Sequence, residues 1–277
     1  FWFRNKKFFL LGKFNKNIAK ELLKIGLPLV PTFLIYWVYN SMDRIMITNM
    51  LGTSELGIYS IGSKIAQISQ FIYLAFAGGW QYFAFSTMKD KDYKHLMGKV
   101  WENMFVISTC FFVGAFLFKD IIFNILFEGD YIEGVVVFPY LLLAPFLLMF
   151  YQILGTQFQI IKKTYYSPLM LSSGAAINVL LNIYLIPVMG IKGAAIATIS
   201  GYFVTNLLSI LVVVKIKKLV IFSKKIVFII LTFIVLFIII NYYNINIYII
   251  SMCIGYLVIC CSLYYKKVMR FIKKREV

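Results

Sequence analysis

The stretch Asn40-Ser41-Met42-Asp43-Arg44 lies near the end of the first long apolar run, roughly two turns before that run breaks at Gly52. Ionisable side chains at membrane depth are costly, and they face a water-filled cavity or a partner. An acid and an arginine side by side therefore predict a membrane helix with a polar cavity beside it. Tyr36, Asn40, Asp43/Arg44 and Thr48 recur at three- and four-residue spacing, which makes one polar stripe on an apolar helix.

Working outward, Gly52-Thr53-Ser54-Glu55 reads as a tight turn, so the next helix returns antiparallel beside the first. Its own stripe is Ser60, Lys64, Gln67, then Gln70 or Phe71. Counted back from the turn, Arg44 and Lys64 each lie roughly 10 Å inside at 1.5 Å per residue, level with Asp43. An Asp43–Lys64 salt bridge that merely pins the two helices is the plain alternative. It leaves Arg44 over, and an unpaired arginine at this depth is expensive unless it meets water or an anion. Lysine outnumbers arginine 24 to 4 in this chain, so an arginine here stands out. Its planar fork suits bidentate recognition of phosphate or carboxylate. The candidate binding residues for an anionic ligand are Arg44, Lys64, Asp43, Asn40 and Gln67.

The composition agrees with a membrane protein. Apolar residues make up 61% of the 277, with 27 Phe, and the mean hydropathy is +0.85. A net charge of +17 would suit nucleic acid if the bases formed one patch. They fall instead in short clusters between apolar runs of roughly 20 residues, the span of a bilayer. Nucleic acid is therefore not an expected partner.

Eight membrane helices are expected, at roughly 25–50, 56–86, 99–118, 135–161, 168–187, 193–214, 224–241 and 246–265. The fold class is all-α and polytopic. The layout is a basic segment 1–24, a six-helix lobe 25–215, two additional helices within 216–265 and a basic tail 266–277. Twenty-four of the 28 basic residues fall on one side of this arrangement. The opposite connectors hold Lys119 and Lys192 against Glu55, Asp120, Glu128, Asp130 and Glu133. The positive-inside rule then places both termini in the cytoplasm of a multi-pass cell-membrane protein. Without an initiating Met or a signal peptide, the chain is expected to be the C-terminal part of a longer protein.

Other features carry weaker signals. Cys110, Cys253, Cys260 and Cys261 lie inside apolar spans and read as small apolar side chains. His95 reads as a solvated loop residue, with no cluster that would make a metal site. Pro28 and Pro31 predict a kink in the first helix. Gly78-Gly79-Trp80 suggests close helix packing with an interfacial Trp, and Glu102 is expected to reach water. Gln152, Thr156 and Gln159 either bond neighbouring helices or line a sugar path. Asn178 and Asn182, together with the Gly193, Ala197, Gly201 seam, mark the fifth and sixth helices as packing elements. Residues 226–240 read as lipid-facing.

Two stretches carry a family resemblance. One runs from Asp43-Arg44-Ile45-Met46 through Leu51-Gly52-Thr53-Ser54-Glu55-Leu56-Gly57-Ile58-Tyr59-Ser60 to Lys64-Ile65-Ala66; the other is Pro187-Val188-Met189-Gly190-Ile191-Lys192-Gly193-Ala194-Ala195-Ile196-Ala197-Thr198. The chain resembles the Wzx-type oligosaccharide flippases of the MATE-like MOP exporter superfamily over residues of about 15 to 215. That resemblance implies two six-helix lobes around a cavity, often followed by two extra helices, with this chain as the second lobe plus those two. It implies transport of a lipid-diphosphate-linked oligosaccharide by alternating access, with Arg44 and Lys64 as the bases for the diphosphate. The implied partners are the anionic lipid-linked glycan, membrane lipids, the N-terminal lobe of the same protein and other polysaccharide-assembly proteins.

No nucleotide motif appears and no cofactor is expected, so the driving force would be an ion gradient or a partner. Asp43 would bind that ion or orient Arg44. An ion-coupled exporter of drugs or metabolites is the nearest alternative, although its site should be acidic and aromatic. A membrane glycosyltransferase or polymerase would need a larger extramembrane segment than the short loop 119–134. A non-transporting scaffold gives no reason for an arginine at depth.

Overall fold

The computed structural model describes residues 15–27, 30–216, 219–242 and 246–273, and every regular element among them is helical. The order is α1 (Lys16–Gly26), α2 (Val30–Leu51), α3 (Thr53–Ala66), α4 (Ile68–Ser86), α5 (Tyr93–Leu126), a 3-10 helix (Gly129–Val136) and α6 (Phe138–Ile160). Then follow α7 (Tyr166–Met189), α8 (Ile191–Ile210) with a π-helical end (Leu211–Ile216), α9 (Lys224–Tyr242) and α10 (Ile247–Lys273). Six helical stretches are long and apolar enough to cross a membrane among the described residues. The protein is an all-α, multi-pass membrane protein.

The second expected span, 56–86, is divided. Gln67 separates α3 from α4, with ψ of −11° and its amide shared between the Ser63 and Lys64 carbonyls. The Ser69 hydroxyl takes the Ala66 carbonyl at 2.8 Å, a local bond that competes with the helix ladder at the break. The third span is longer than expected. At 34 residues, α5 reaches about 50 Å and outruns the hydrocarbon core, so His95 and the Lys119–Asp120 pair ride on helix and not on loops.

Pro31 occupies the second position of α2, where a missing N–H leaves no bond unmade, so it starts this helix and does not kink it. Pro28 lies outside the described residues, as do 1–14 of the basic segment, Lys217, Lys218 and the last four residues of the tail.

The core is built on α6, which is buried from Phe138 to Phe158 along most faces and packs on α3, α4, α5 and α8. Trp80 belongs to this core and does not anchor at the interface. It is 3% exposed, stacks on Phe76 and donates its indole N–H to Thr156 Oγ1 at 2.9 Å. Gly78 and Gly79 have no neighbour that an added Cβ would meet, so close packing does not explain them.

The α7–α8 pair does contain a close approach. A Cβ on Gly174 would overlap the hydroxyls of Thr205 and Tyr39, and one on Gly201 would stand 2.6 Å from the Gly174 carbonyl. Small residues there let the two backbones and α2 meet.

One face of α9, Ile226, Ile229, Phe233 and Leu236, is buried. Its Phe233 meets Phe105 and Phe112 of α5 edge-on at 5.9 and 5.7 Å. The opposite face, Val227, Leu231, Val235 and Ile238, is exposed, as a lipid-facing surface would be. Glu102 of α5 is buried at 2% exposure and does not reach water. Its carboxylate accepts the Ser223 backbone N–H and, at 2.9 Å, the Ser223 hydroxyl, which caps the start of α9.

Candidate functional site

The site begins at the α2–α3 hairpin. Gly52 joins the helices in a single residue at φ +95°, a conformation glycine adopts without Cβ strain. This reversal sets the upper turns of α2 beside α3, while α7 and α8 cover the other side of α2.

Where α2, α3, α6 and α8 meet lies a cavity of about 520 Å³, lined by Asn40, Asp43, Arg44 and Gln67 among others. Four of the five residues expected from sequence therefore share one cavity. Lys64, the fifth, is exposed on the last turn of α3 and is not part of the lining, although its neighbour Ser63 is. Gln70 from the α4 stripe and the aromatic rings of Tyr39, Tyr59 and Tyr202 complete the polar wall.

The expected alternative, an Asp43–Lys64 salt bridge, is not formed. Lys119–Asp120 is the one ion pair among the described residues. Asp43 is instead 3% exposed and held by neutral donors from three other helices. Tyr59 of α3 donates its hydroxyl to Oδ2 at 3.0 Å, and Asn178 and Asn182 of α7 donate their amides to Oδ1 at 3.2 and 2.7 Å. Thr198 of α8 donates to Oδ2 as well. A carboxylate has about four acceptor positions, and four donors saturate it. Tyr39 braces the same corner, stacked on Tyr202 at 4.3 Å between centroids and bonded to Thr205 at 3.2 Å.

Arg44 has different surroundings. Its side chain is exposed to the cavity, and its polar contact is Ser63 Oγ at 3.5 Å. The backbone carbonyl of Arg44 accepts the Thr48 hydroxyl, and Asn40 turns its amide back to the Tyr36 carbonyl at 2.8 Å. The arrangement is an unpaired guanidinium in a polar cavity, next to an acid whose lone pairs are already engaged.

Sequence reasoning missed Tyr59, Asn178, Asn182 and Thr198 as parts of this site. A signal was present: two amides four apart on an apolar helix are a face that needs polar partners. The partners are Asp43 and Thr198, and the amide oxygens Asn178 Oδ1 and Asn182 Oδ1 remain buried without any. Among the described residues no group of three His, Cys, Asp or Glu could hold a metal ion, and all four cysteines are free.

Comparison with known proteins bears on the fold. The family described as "Polysaccharide biosynthesis protein" matches residues 1–136. The uncharacterized membrane protein MJ1068 of Methanocaldococcus jannaschii is 26% identical over 226 residues, 79% of this chain and 44% of its own length. Among solved structures, the lipid II flippase MurJ in its inward closed conformation aligns with TM-score 0.60 at 16% identity, over 97% of this chain and 60% of that one. An outward-facing multidrug resistance MATE family transporter of the MOP superfamily aligns with TM-score 0.57 at 15% identity, over 84% of this chain and 50% of that one. The chain thus spans about half the length of the relatives it matches. The family match over residues 1–136 and the fold shared with one flippase and one transporter point the same way as the resemblance read from the sequence.

Proposed function

From a chain with the MOP-transporter fold and a polysaccharide-biosynthesis match over its first 136 residues, we propose a lobe of a flippase for a lipid-diphosphate-linked oligosaccharide. The observation that carries this reading is Arg44. It faces a cavity of about 520 Å³ and, among the described residues, bonds a single hydroxyl at 3.5 Å and no carboxylate. An unpaired arginine at that depth calls for water or an anion, and its fork matches a diphosphate oxygen pair. Exposed Lys64 adds positive potential beside Ser63 at the rim. A second lobe of the full-length protein would close the cavity, and alternating access would carry the headgroup across. Both termini lie in the cytoplasm on this reading, and the membrane is the cell membrane.

The coupling ion, a monovalent cation, belongs at Asp43. Binding there requires one of the four donors to turn away from the carboxylate, and the amide oxygens Asn178 Oδ1 and Asn182 Oδ1, buried without partners, would then share the ion with it. Hard cations prefer such oxygen groups. An ion-coupled exporter of drugs or metabolites is the second reading, favoured by Asp43 lining the same cavity.

The deciding experiment measures translocation of a polyprenyl-diphosphate oligosaccharide by the reconstituted full-length protein. Arg44→Ala is expected to slow it at least tenfold, Arg44→Lys less, and Lys64→Ala least. Unchanged rates with both alanine variants reject the site. Asp43→Asn should abolish dependence on a sodium or proton gradient, and the ion whose gradient matters identifies the coupling partner.

A further inference from the structure

A second cavity, of about 260 Å³, shares α2, α4 and α6 with the first. The two are neighbours along α2 and α6. Tyr36 and Asn40 stand one turn apart on α2 and Leu148 and Gln152 one turn apart on α6, one of each pair in each cavity. The Asn40 amide bonds the Tyr36 carbonyl at 2.8 Å, so a single hydrogen bond joins the two walls.

The chemistry of the second cavity is distinct. Tyr36, Tyr73 and Tyr151 supply aromatic faces, and Gln81, Gln152 and Gln159 supply amides. Among the described residues no carboxylate, ammonium or guanidinium lines it. Two of its polar atoms, Thr32 Oγ1 and Gln152 Oε1, are buried without a hydrogen-bond partner. Buried polar groups are normally satisfied, so each unsatisfied one asks what completes it. An anion would find no cation here, and an acyl chain would leave the amides unsatisfied. An organic cation would find aromatic rings but no acid. An uncharged sugar satisfies all three features: its C–H face packs on aromatic rings while its hydroxyls both donate to and accept from amides.

We propose that this cavity is a saccharide subsite, which takes the uncharged sugar residues joined to a diphosphate at Arg44. The proposal rests on the reading of the first cavity as a lipid-diphosphate site. Because sugar and diphosphate are directly bonded, their subsites must be neighbours, and lining residues of these two stand one helical turn apart.

The test uses the full-length protein in nanodiscs and two probes, bare polyprenyl diphosphate and polyprenyl diphosphate carrying one N-acetylglucosamine. Wild type is expected to bind the sugar-bearing probe about tenfold more tightly, the worth of one or two added hydrogen bonds. Gln152→Leu combined with Gln159→Leu should erase that preference and leave affinity for the bare probe unchanged, which also reports that the variant folds. Thr32→Val, of nearly constant shape, should reduce the preference severalfold and serves where the double variant does not fold. Arg44→Gln should weaken both probes alike. Equal affinity of wild type for the two probes, as a cavity holding water alone would give, overturns the subsite and leaves the diphosphate reading standing. So does a full preference retained by both variants. Failure of wild type to bind either probe overturns both readings.

Discussion

Successive residues leave a helix about 100° apart, so Asp43 and Arg44 depart from α2 toward different neighbours. Asp43 enters the wedge between α3, α7 and α8, where four donors from Tyr59, Asn178, Asn182 and Thr198 meet it. Arg44 turns to the cavity. The division leaves the guanidinium's charge uncancelled, which a direct Asp–Arg pair would not. It also makes Asp43 a stability determinant. Asp43→Ala deprives four buried donors of their acceptor, and each such loss costs about 1–3 kcal/mol. Detergent-solubilised protein should therefore melt well below wild type. Asp43→Asn keeps one acceptor oxygen and should recover part of the loss. An Asp43→Ala variant as stable as wild type would mean that the cradle is not formed. Thr198→Val removes one donor without leaving a hole and should cost less than Asp43→Ala, by the same measurement.

At the level of whole helices, two joints hold the bundle. The α7–α8–α2 joint depends on missing side chains, since Gly174 meets Tyr39, Thr205 and the Gly201 carbonyl where a Cβ would stand. Gly174→Val should therefore destabilise by about 1–3 kcal/mol through overpacking, against near-neutral Gly114→Ala, whose added Cβ meets nothing. Equal melting temperatures for the two would remove the close approach from the argument. The second joint is Glu102 beneath Ser223. Glu102→Ala leaves the start of α9 without its carboxylate cap and should loosen α9 from α5, which is read as faster proteolysis between them. These joints also mark where sequence stopped being informative. Apolar run length and the Gly193–Gly201 seam located the helices, because period and small-residue spacing are local properties. Glu102 looked like a solvated acid because its partner lies 121 residues away. The Asn178/Asn182 pair looked like packing because its acceptor is 135 residues distant or more. The break at Gln67 has no proline or glycine to announce it.

For the molecule as a whole, orientation decides which way the site opens, and charge is the quantity that sets it. Basic residues cluster at one set of helix ends: Lys16, Lys20 and Lys24 on exposed α1, then Lys89 and Lys91, Lys162 and Lys163, and Lys224 and Lys225. The other ends carry Glu55, the exposed residues Glu128 and Asp130 at the 3-10 helix, and Glu133. The antiparallel sequence of helices keeps the two sets apart, and the break at Gln67 leaves that alternation intact because α3 and α4 follow one another without an intervening loop. The topology proposed from the positive-inside rule would point Asp130 away from the cytoplasm. A single cysteine at position 130, in full-length protein whose native cysteines are replaced, should react with a membrane-impermeant maleimide in intact cells. A cysteine replacing Lys162, exposed at the α6–α7 turn, should react only after permeabilisation. The reverse pattern would invert the topology and carry the cavity's opening with it. Labelling of both positions from outside would show that α6 does not cross the membrane.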